Sequence, residues 1–386
     1  MRAVRRWFGL ERCAIGVEEE EQASAETEGE TVRVDPMHAK DVSVEAREVL
    51  FLPGSEVENR LQDPFELHRS TLVGEAPRAA AAVCYDSRDR RVVEKSSYVE
   101  AGLVSQARMR VGVMVPMSLS DGRDAMPTWQ EVRGFALRAE EARIDALWVC
   151  DHLFSGEPGR DPEGIHEGWT VMSALAAATD RVQLGQLVTC VSFRNPGLLA
   201  KMATTVDAIS GGRLVLGLGA GWYEPEYEAF GYPTDHRVSR LEEALAIIVP
   251  LLRGESVTFL GRYHRAASAG LLPPPGRRIP ILLAGDGPRL LQLTARFADT
   301  WNTAWFGAPD GELRRRLAAL DEALGAEGRN PATLRRTVGV EFFDADVDEI
   351  ATTLAAYQSL GVDEVIVGLR PPTLESLVRL ARAIDC

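Results

Sequence analysis

Lysine is scarce in this sequence: Lys40, Lys95 and Lys201 are the only three among 386 residues. An anionic ligand held in the second two-thirds of the chain is therefore left to arginine, to Lys201 or to backbone N–H groups. Positive charge is outweighed throughout, with 43 Lys and Arg against 57 Asp and Glu and a formal net charge of -14. That balance offers no footprint for a polyphosphate backbone, so nucleic acid is not expected as a partner. No apolar run approaches the roughly 20 residues needed to cross a bilayer. The start, MRAVRRWFGLERCAIG, is basic, but its apolar stretch is broken by Glu11 and Arg12, so neither a signal peptide nor an anchor is read. The five cysteines, Cys13, Cys84, Cys150, Cys190 and Cys386, form no CxxC pair. They suit free thiols in a reducing, cytoplasmic compartment rather than a disulfide framework or a zinc site. The scattered histidines His38, His68, His166, His236 and His264 show no HxxxH or HxH spacing, which gives a metal centre no support.

What is present divides the chain in two. Residues 1–108 carry the acidic run Glu18 to Glu21, a polar Ser/Thr/Glu stretch and only short apolar pieces. They read as a poorly structured N-terminal extension, disordered or the product of a misassigned start. At Met109 the character changes to MRVGVMVP, and residues 109–386 then alternate strand-like and helix-like segments. Eight such units are counted, from Arg110–Val115 to Val362–Val367 with its helix Thr373–Ile384. Thr128 is placed as the cap of the first helix, Asn195-Pro196 as the start of the third, and Val257–Arg265 as a short excursion turning at Gly261. The seventh strand and its helix, Thr337–Phe342 and Val347–Leu360, look short. Eight units, no GxGxxG in the first turn and an end after the eighth helix favour a (β/α)8 TIM barrel over an open doubly wound sheet.

In such a barrel the chemistry lies at the C-terminal strand ends. There the sequence places Asp151-His152, Leu187-Val188-Thr189-Cys190, Gly219-Ala220-Gly221-Trp222, Ala284-Gly285-Asp286-Gly287 and Trp301-Asn302. Asp151 beside His152 suits proton transfer, the carboxylate accepting a backbone or imidazole N–H and fixing the ring. The pair equally fits a capping Asp beside a half-buried His. The strand-four glycines permit close approach of a planar ligand, or form a tight turn. Gly285-Asp286-Gly287 opens a helix whose N–H groups suit an anion, or is a capping loop without ligand. Trp148 reads as core, whereas Trp222, Trp301 and Trp305 fit either core or pocket wall.

Together these segments resemble the luciferase-like flavin and deazaflavin barrel family, and more narrowly its branch dependent on coenzyme F420. The resemblance spans about Met109–Asp385. It is carried by ALWVCDHLF, by RNPGLLAK followed by DAISGGRLVLGLGAGWYEPEYEAFG, and by LLAGDGPRLLQLTARFADTWN. It implies a deazaflavin ring across the C-terminal mouth, with His152 and Asp151 as the catalytic pair. It also implies a non-prolyl cis peptide at Leu187-Val188 backing the ring, with Thr189 next to it. Gly219, Ala220, Gly221 and Trp222 would lie beside the cofactor tail, and Ala284, Gly285, Asp286 and Gly287 would form the phosphate loop. Asp286 departs from the family pattern by setting a negative charge near the phosphate unless it points away.

The activity so implied is hydride exchange between F420 and a small organic substrate. An FMN-dependent monooxygenase on the same barrel is the alternative, and a non-catalytic flavin-binding barrel is the reading from another class. The partner expected is a small-molecule substrate, without membrane; a homodimer is left open.

Overall fold

The computed structural model describes residues 108–119, 125–156 and 161–385. The extension expected over residues 1–108 lies outside them except for Arg108, as do Cys13, Cys84 and Cys386.

The first unit shows why the elements form where they do. Strand β1 (Arg110–Met114) leads to helix α1 (Trp129–Glu141), capped by Thr128. The Thr128 hydroxyl accepts the Glu131 N–H, and the Glu131 carboxylate accepts the Thr128 N–H in return. Such a reciprocal cap contributes about 0.5–2 kcal/mol. Val132, Phe135, Ala136 and Ala139 then bury one face of α1 at helical spacing.

The alternation continues with β2 (Ala146–Val149), α2 (Gly168–Ala178), β3 (Gln183–Gln186), β4 (Thr189–Cys190), α3 (Pro196–Ile209) and β5 (Leu214–Gly219). A short helix α4 (Glu224–Phe230) and a long α5 (Arg237–Leu252) follow, then an antiparallel hairpin of β6 (Val257–Leu260) and β7 (Arg265–Ala269). The hairpin is the expected excursion. The remainder is β8 (Ile281–Ala284), α6 (Pro288–Phe297), β9 (Thr300–Phe306), α7 (Gly311–Ala326), β10 (Arg335–Phe343), α8 (Val347–Ser359), β11 (Glu364–Arg370) and α9 (Leu374–Ile384).

The main sheet runs β3-β2-β1-β11-β10-β9-β8-β5-β4, and pairing of β3 with β5 closes it. The strand pairs around this ring are parallel, and β3 with β4 make one interrupted barrel strand, so eight strands close as the sequence implied. Strands β2 and β5 are buried along their whole length, as expected where helices cover one face and the lumen the other. Strand β10 corrects one expectation. It has 9 residues and is the longest strand among the described residues, because the charged Arg335 and Arg336 that hid its start still pair with β9.

The lumen is a packed core distinct from the layer between strands and helices. Ala146, Trp148, Val215, Leu282 and Ile366 fill it. Trp148 is 1% exposed, and its indole N–H donates to the buried Glu364 at 3.2 Å. A Cβ at Gly112 would lie 2.6 Å from the indole nitrogen, and one at Gly185 would meet the six-membered ring. The two glycines are thus the space in which the indole lies, and the lumen is filled beneath the C-terminal mouth.

Candidate active site

Strand β2 delivers Asp151 and His152 to the mouth, but the structure gives them separate partners. The His152 Nδ1 lies 2.9 Å from Glu226 Oε2. Glu226 sits on α4, is 1% exposed, and with its other oxygen accepts the Leu153 N–H at 2.5 Å and the Phe154 N–H at 3.4 Å. One carboxylate thereby holds both the imidazole and the backbone that carries it. The ring stands edge-on to Trp222 and Tyr223, with centroids 5.8 and 6.1 Å away, and its side chain remains 23% exposed at the mouth. Burial pushes the Tyr223 hydroxyl up, and the neighbouring Glu226 and Glu163 charges add to the shift.

Asp151 faces elsewhere. Its carboxylate accepts both arms of Arg194, at 2.6 and 2.8 Å, and the Cys190 N–H at 2.8 Å. Arg194 also donates to Glu167 at 2.8 Å. Burial works against the Arg194 charge, yet the hydrogen bonds and charges of Asp151 and Glu167 hold the guanidinium above its ordinary value. The expectation that Asp151 orients the imidazole is corrected: its backbone half is met by Cys190, while the ring belongs to Glu226. Asp151 pins the end of β2 to the chain that follows β3.

Between β3 and β4 the Leu187-Val188 peptide bond is cis, as the resemblance implied. Both side chains pack against the lumen cluster. A Cβ on Gly219 would lie 2.6 Å from Val188 Cγ2, so Gly219 lets the two strand ends interlock. Gly221, at φ +82°, leaves its Cβ position to the Tyr227 hydroxyl and to Cys190 Sγ. The Tyr227 hydroxyl donates to the Ala220 carbonyl at 3.0 Å and touches Cys190 Sγ at 3.1 Å. Burial pushes the Cys190 thiol up. Thr189 is fully buried, with its hydroxyl turned to Gln186 and not to the mouth. Trp222, by contrast, is 47% exposed.

At the end of β8, Ala284 leads into Gly285 at φ +133°, whose carbonyl accepts the Trp301 indole N–H at 2.8 Å. Gly287 precedes α6, which has no side-chain cap and no acidic residue in its first turn. A Cβ built on Gly287 meets nothing within 4 Å, so the side-chain position at the helix start is open. Asp286 turns to Arg316 of α7 at 2.8 Å, which balances its charge. An anion fits that helix end. Among the described residues no group of three or more His, Cys, Asp or Glu could hold a metal ion.

Sequence reasoning missed Glu226, Arg194 and Arg316. Arg194 opens the motif RNPGLLAK and could have been found there. Glu226 is one of three acids at alternate positions, Glu224, Glu226 and Glu228, and only folding singles it out.

The profile of the luciferase-like monooxygenase family matches residues 109–382. The chain belongs to that family. Among curated proteins, this luciferase-like chain is 34% identical over 218 residues to an F420-dependent glucose-6-phosphate dehydrogenase of Kineococcus radiotolerans, covering 55% of this chain and 64% of the relative. It is 33% identical over 226 residues to an F420-dependent hydroxymycolic acid dehydrogenase of Mycobacterium tuberculosis, covering 57% of this chain and 60% of the relative. Both matches span less than two thirds of the relative's own length. Among solved structures, an F420-dependent secondary alcohol dehydrogenase in complex with an F420-acetone adduct aligns with a TM-score of 0.63 at 18% identity, over 72% of this chain and 98% of that one. That likeness concerns the fold.

Proposed function

We propose that this luciferase-like barrel is an oxidoreductase that exchanges a hydride between coenzyme F420 and a small hydroxyl or carbonyl substrate, with His152 as the proton carrier. The observation that carries the reading is His152 itself, a half-buried imidazole at the barrel mouth, held through Nδ1 by a buried carboxylate. The names of the relatives favour F420 over FMN.

The residues present fit the cofactor. Leu187 and Val188 would back its ring, the Gly219 to Trp222 turn would lie along its tail, and the open N-terminus of α6 at Gly287 would take its phosphate. When bound, the deazaflavin supplies a carbon that accepts or donates a hydride. The protein's part is the proton. As a carbinol becomes a carbonyl, its C–H leaves as hydride and its hydroxyl proton passes to His152 Nε2; in the reverse direction the imidazolium returns that proton to the new alkoxide. Asp151 and Arg194 join the end of β2 to the chain after β3, so the proton carrier and the Leu187-Val188 wall keep a fixed separation. Cytoplasmic residence belongs to the same proposal, supported by Cys150 and Cys190 standing as thiols rather than in a disulfide.

Titrating the purified full chain with F420 and with FMN, reading fluorescence quenching, tests the cofactor, and substrate-dependent loss of the deazaflavin absorbance tests the reaction. Saturable F420 binding with alcohol-dependent reduction is expected. Binding of FMN alone, with oxygen uptake, would overturn the proposal in favour of a monooxygenase.

A further inference from the structure

The contact between α4 and the end of β2 carries more than support for a loop. We infer that Glu226 is a positioning residue that selects the tautomer of His152, placing the ring hydrogen on Nδ1 and leaving Nε2 with a free lone pair toward the mouth. The inference rests on His152 being the proton carrier.

Three observations lead there. First, a carboxylate only accepts hydrogen bonds, so at 2.9 Å the hydrogen between Glu226 Oε2 and His152 Nδ1 resides on nitrogen. In a neutral imidazole the other nitrogen is then the acceptor, which is the form able to take a proton. Second, Glu226 is itself immobilised: it is 1% exposed, it sits in the first turn of α4, and its Oε1 is occupied by the N–H groups of Leu153 and Phe154. A charge fixed at Nδ1 stabilises the imidazolium that forms when Nε2 is protonated, without reorganisation at that moment. Third, the adjacent carboxylate is engaged otherwise, because Asp151 is neutralised by Arg194. The titratable groups near the ring are thus Glu226 from α4 and Tyr223 from the turn before it, with Glu163 acting on Tyr223 and the Asp151-Arg194-Glu167 chain beginning at the adjacent residue.

The test is E226Q in the full chain. Glutamine keeps an oxygen for the Leu153 N–H but removes the charge, and its amide can donate to Nδ1 and so favour the opposite tautomer. Nitrogen-15 NMR of the imidazole, recorded without cofactor, is expected to show Nδ1 protonated in the wild type and the population shifted toward protonated Nε2 in E226Q. With F420 and substrate saturating, kcat is expected to fall by about 10²-fold or more while KM and cofactor affinity change little. The pH profile of kcat should differ between wild type and E226Q, and E226D should restore part of the rate. If wild-type His152 already carries its hydrogen on Nε2, the inference is overturned, whatever the folding of E226Q. It is equally overturned if E226Q lowers only the melting temperature and leaves kcat and its pH profile unchanged. A wild-type protein that neither binds F420 nor reduces it would refute the parent reading instead, and the NMR result would still decide the tautomer.

Discussion

Removing Asp151 separates the two roles its position allows. Its side chain is 1% exposed, and that of Arg194 is 11% exposed. Asp151→Ala leaves the guanidinium with Glu167, whose side chain is 41% exposed, and deprives the Cys190 N–H of its acceptor. Breaking a buried pair by removing one partner costs about 3–5 kcal/mol, because the survivor stays charged and desolvated. For a barrel of this size that corresponds to roughly 6–20 °C of melting temperature. The assay is thermal melting of wild type, Asp151→Ala, Arg194→Met and the double variant, followed by kcat on each at a temperature where all are folded. The double variant should be more stable than the summed single losses imply, by about 1 kcal/mol or more, since it no longer buries a lone charge. Once folded, it should retain much of its turnover. An Asp151→Ala variant with wild-type melting and a collapse of kcat would refute this reasoning and return the carboxylate to the chemistry.

Four further outcomes are expected. His152→Ala should stay folded and keep F420 affinity, with some loss of melting temperature because Glu226 loses a partner, while lowering kcat by about 10²–10⁴-fold where it is folded; unchanged turnover in stopped-flow assays would remove His152 as proton carrier. Gly219→Ala places a methyl group 2.6 Å from Val188 Cγ2 and should weaken F420 quenching, with recovery when Val188→Ala restores the room. The Cys190 thiol, pushed up by burial, should stay protonated and react with a thiol reagent only as fast as the barrel opens, so a rate that rises with pH at constant stability would contradict its placement. At the hairpin, burial pushes His264 down against the opposing Glu243 charge, with the Arg240 charge adding to the burial effect. The folded state then binds fewer protons than the unfolded one, so stability is lost as pH falls below the ordinary histidine range, and His264→Gln should flatten that limb of a melting-versus-pH curve.

The architecture was legible because its signals are local. The run MRVGVMVP, the Thr128 cap and the Asn195-Pro196 start each declare an element within a few residues. What escaped was either short or distant. Helix α4 has 7 residues, with Pro225 in its first turn and Gly231 just after it, too short to show a helical period. Glu226 meets His152 across 74 residues and Arg194 meets Asp151 across 43, separations no local pattern encodes. Adjacency alone joins Asp151 and His152 in the sequence, but neighbours on an extended chain point apart, and each has its partner on a different side.

The indole that fills the lumen also constrains how this barrel can change over generations. Gly112, Trp148 and Gly185 occupy one volume, so they form a single inherited unit rather than three independent positions. A side chain gained at either glycine is barred while the indole remains, and shrinking the indole first opens a void costing about 3–5 kcal/mol. Each single step is a loss, although a coordinated exchange restores the packing. Descendants are therefore expected to keep the trio or replace it together, and a library that varies only one of the three will sample mainly dead ends.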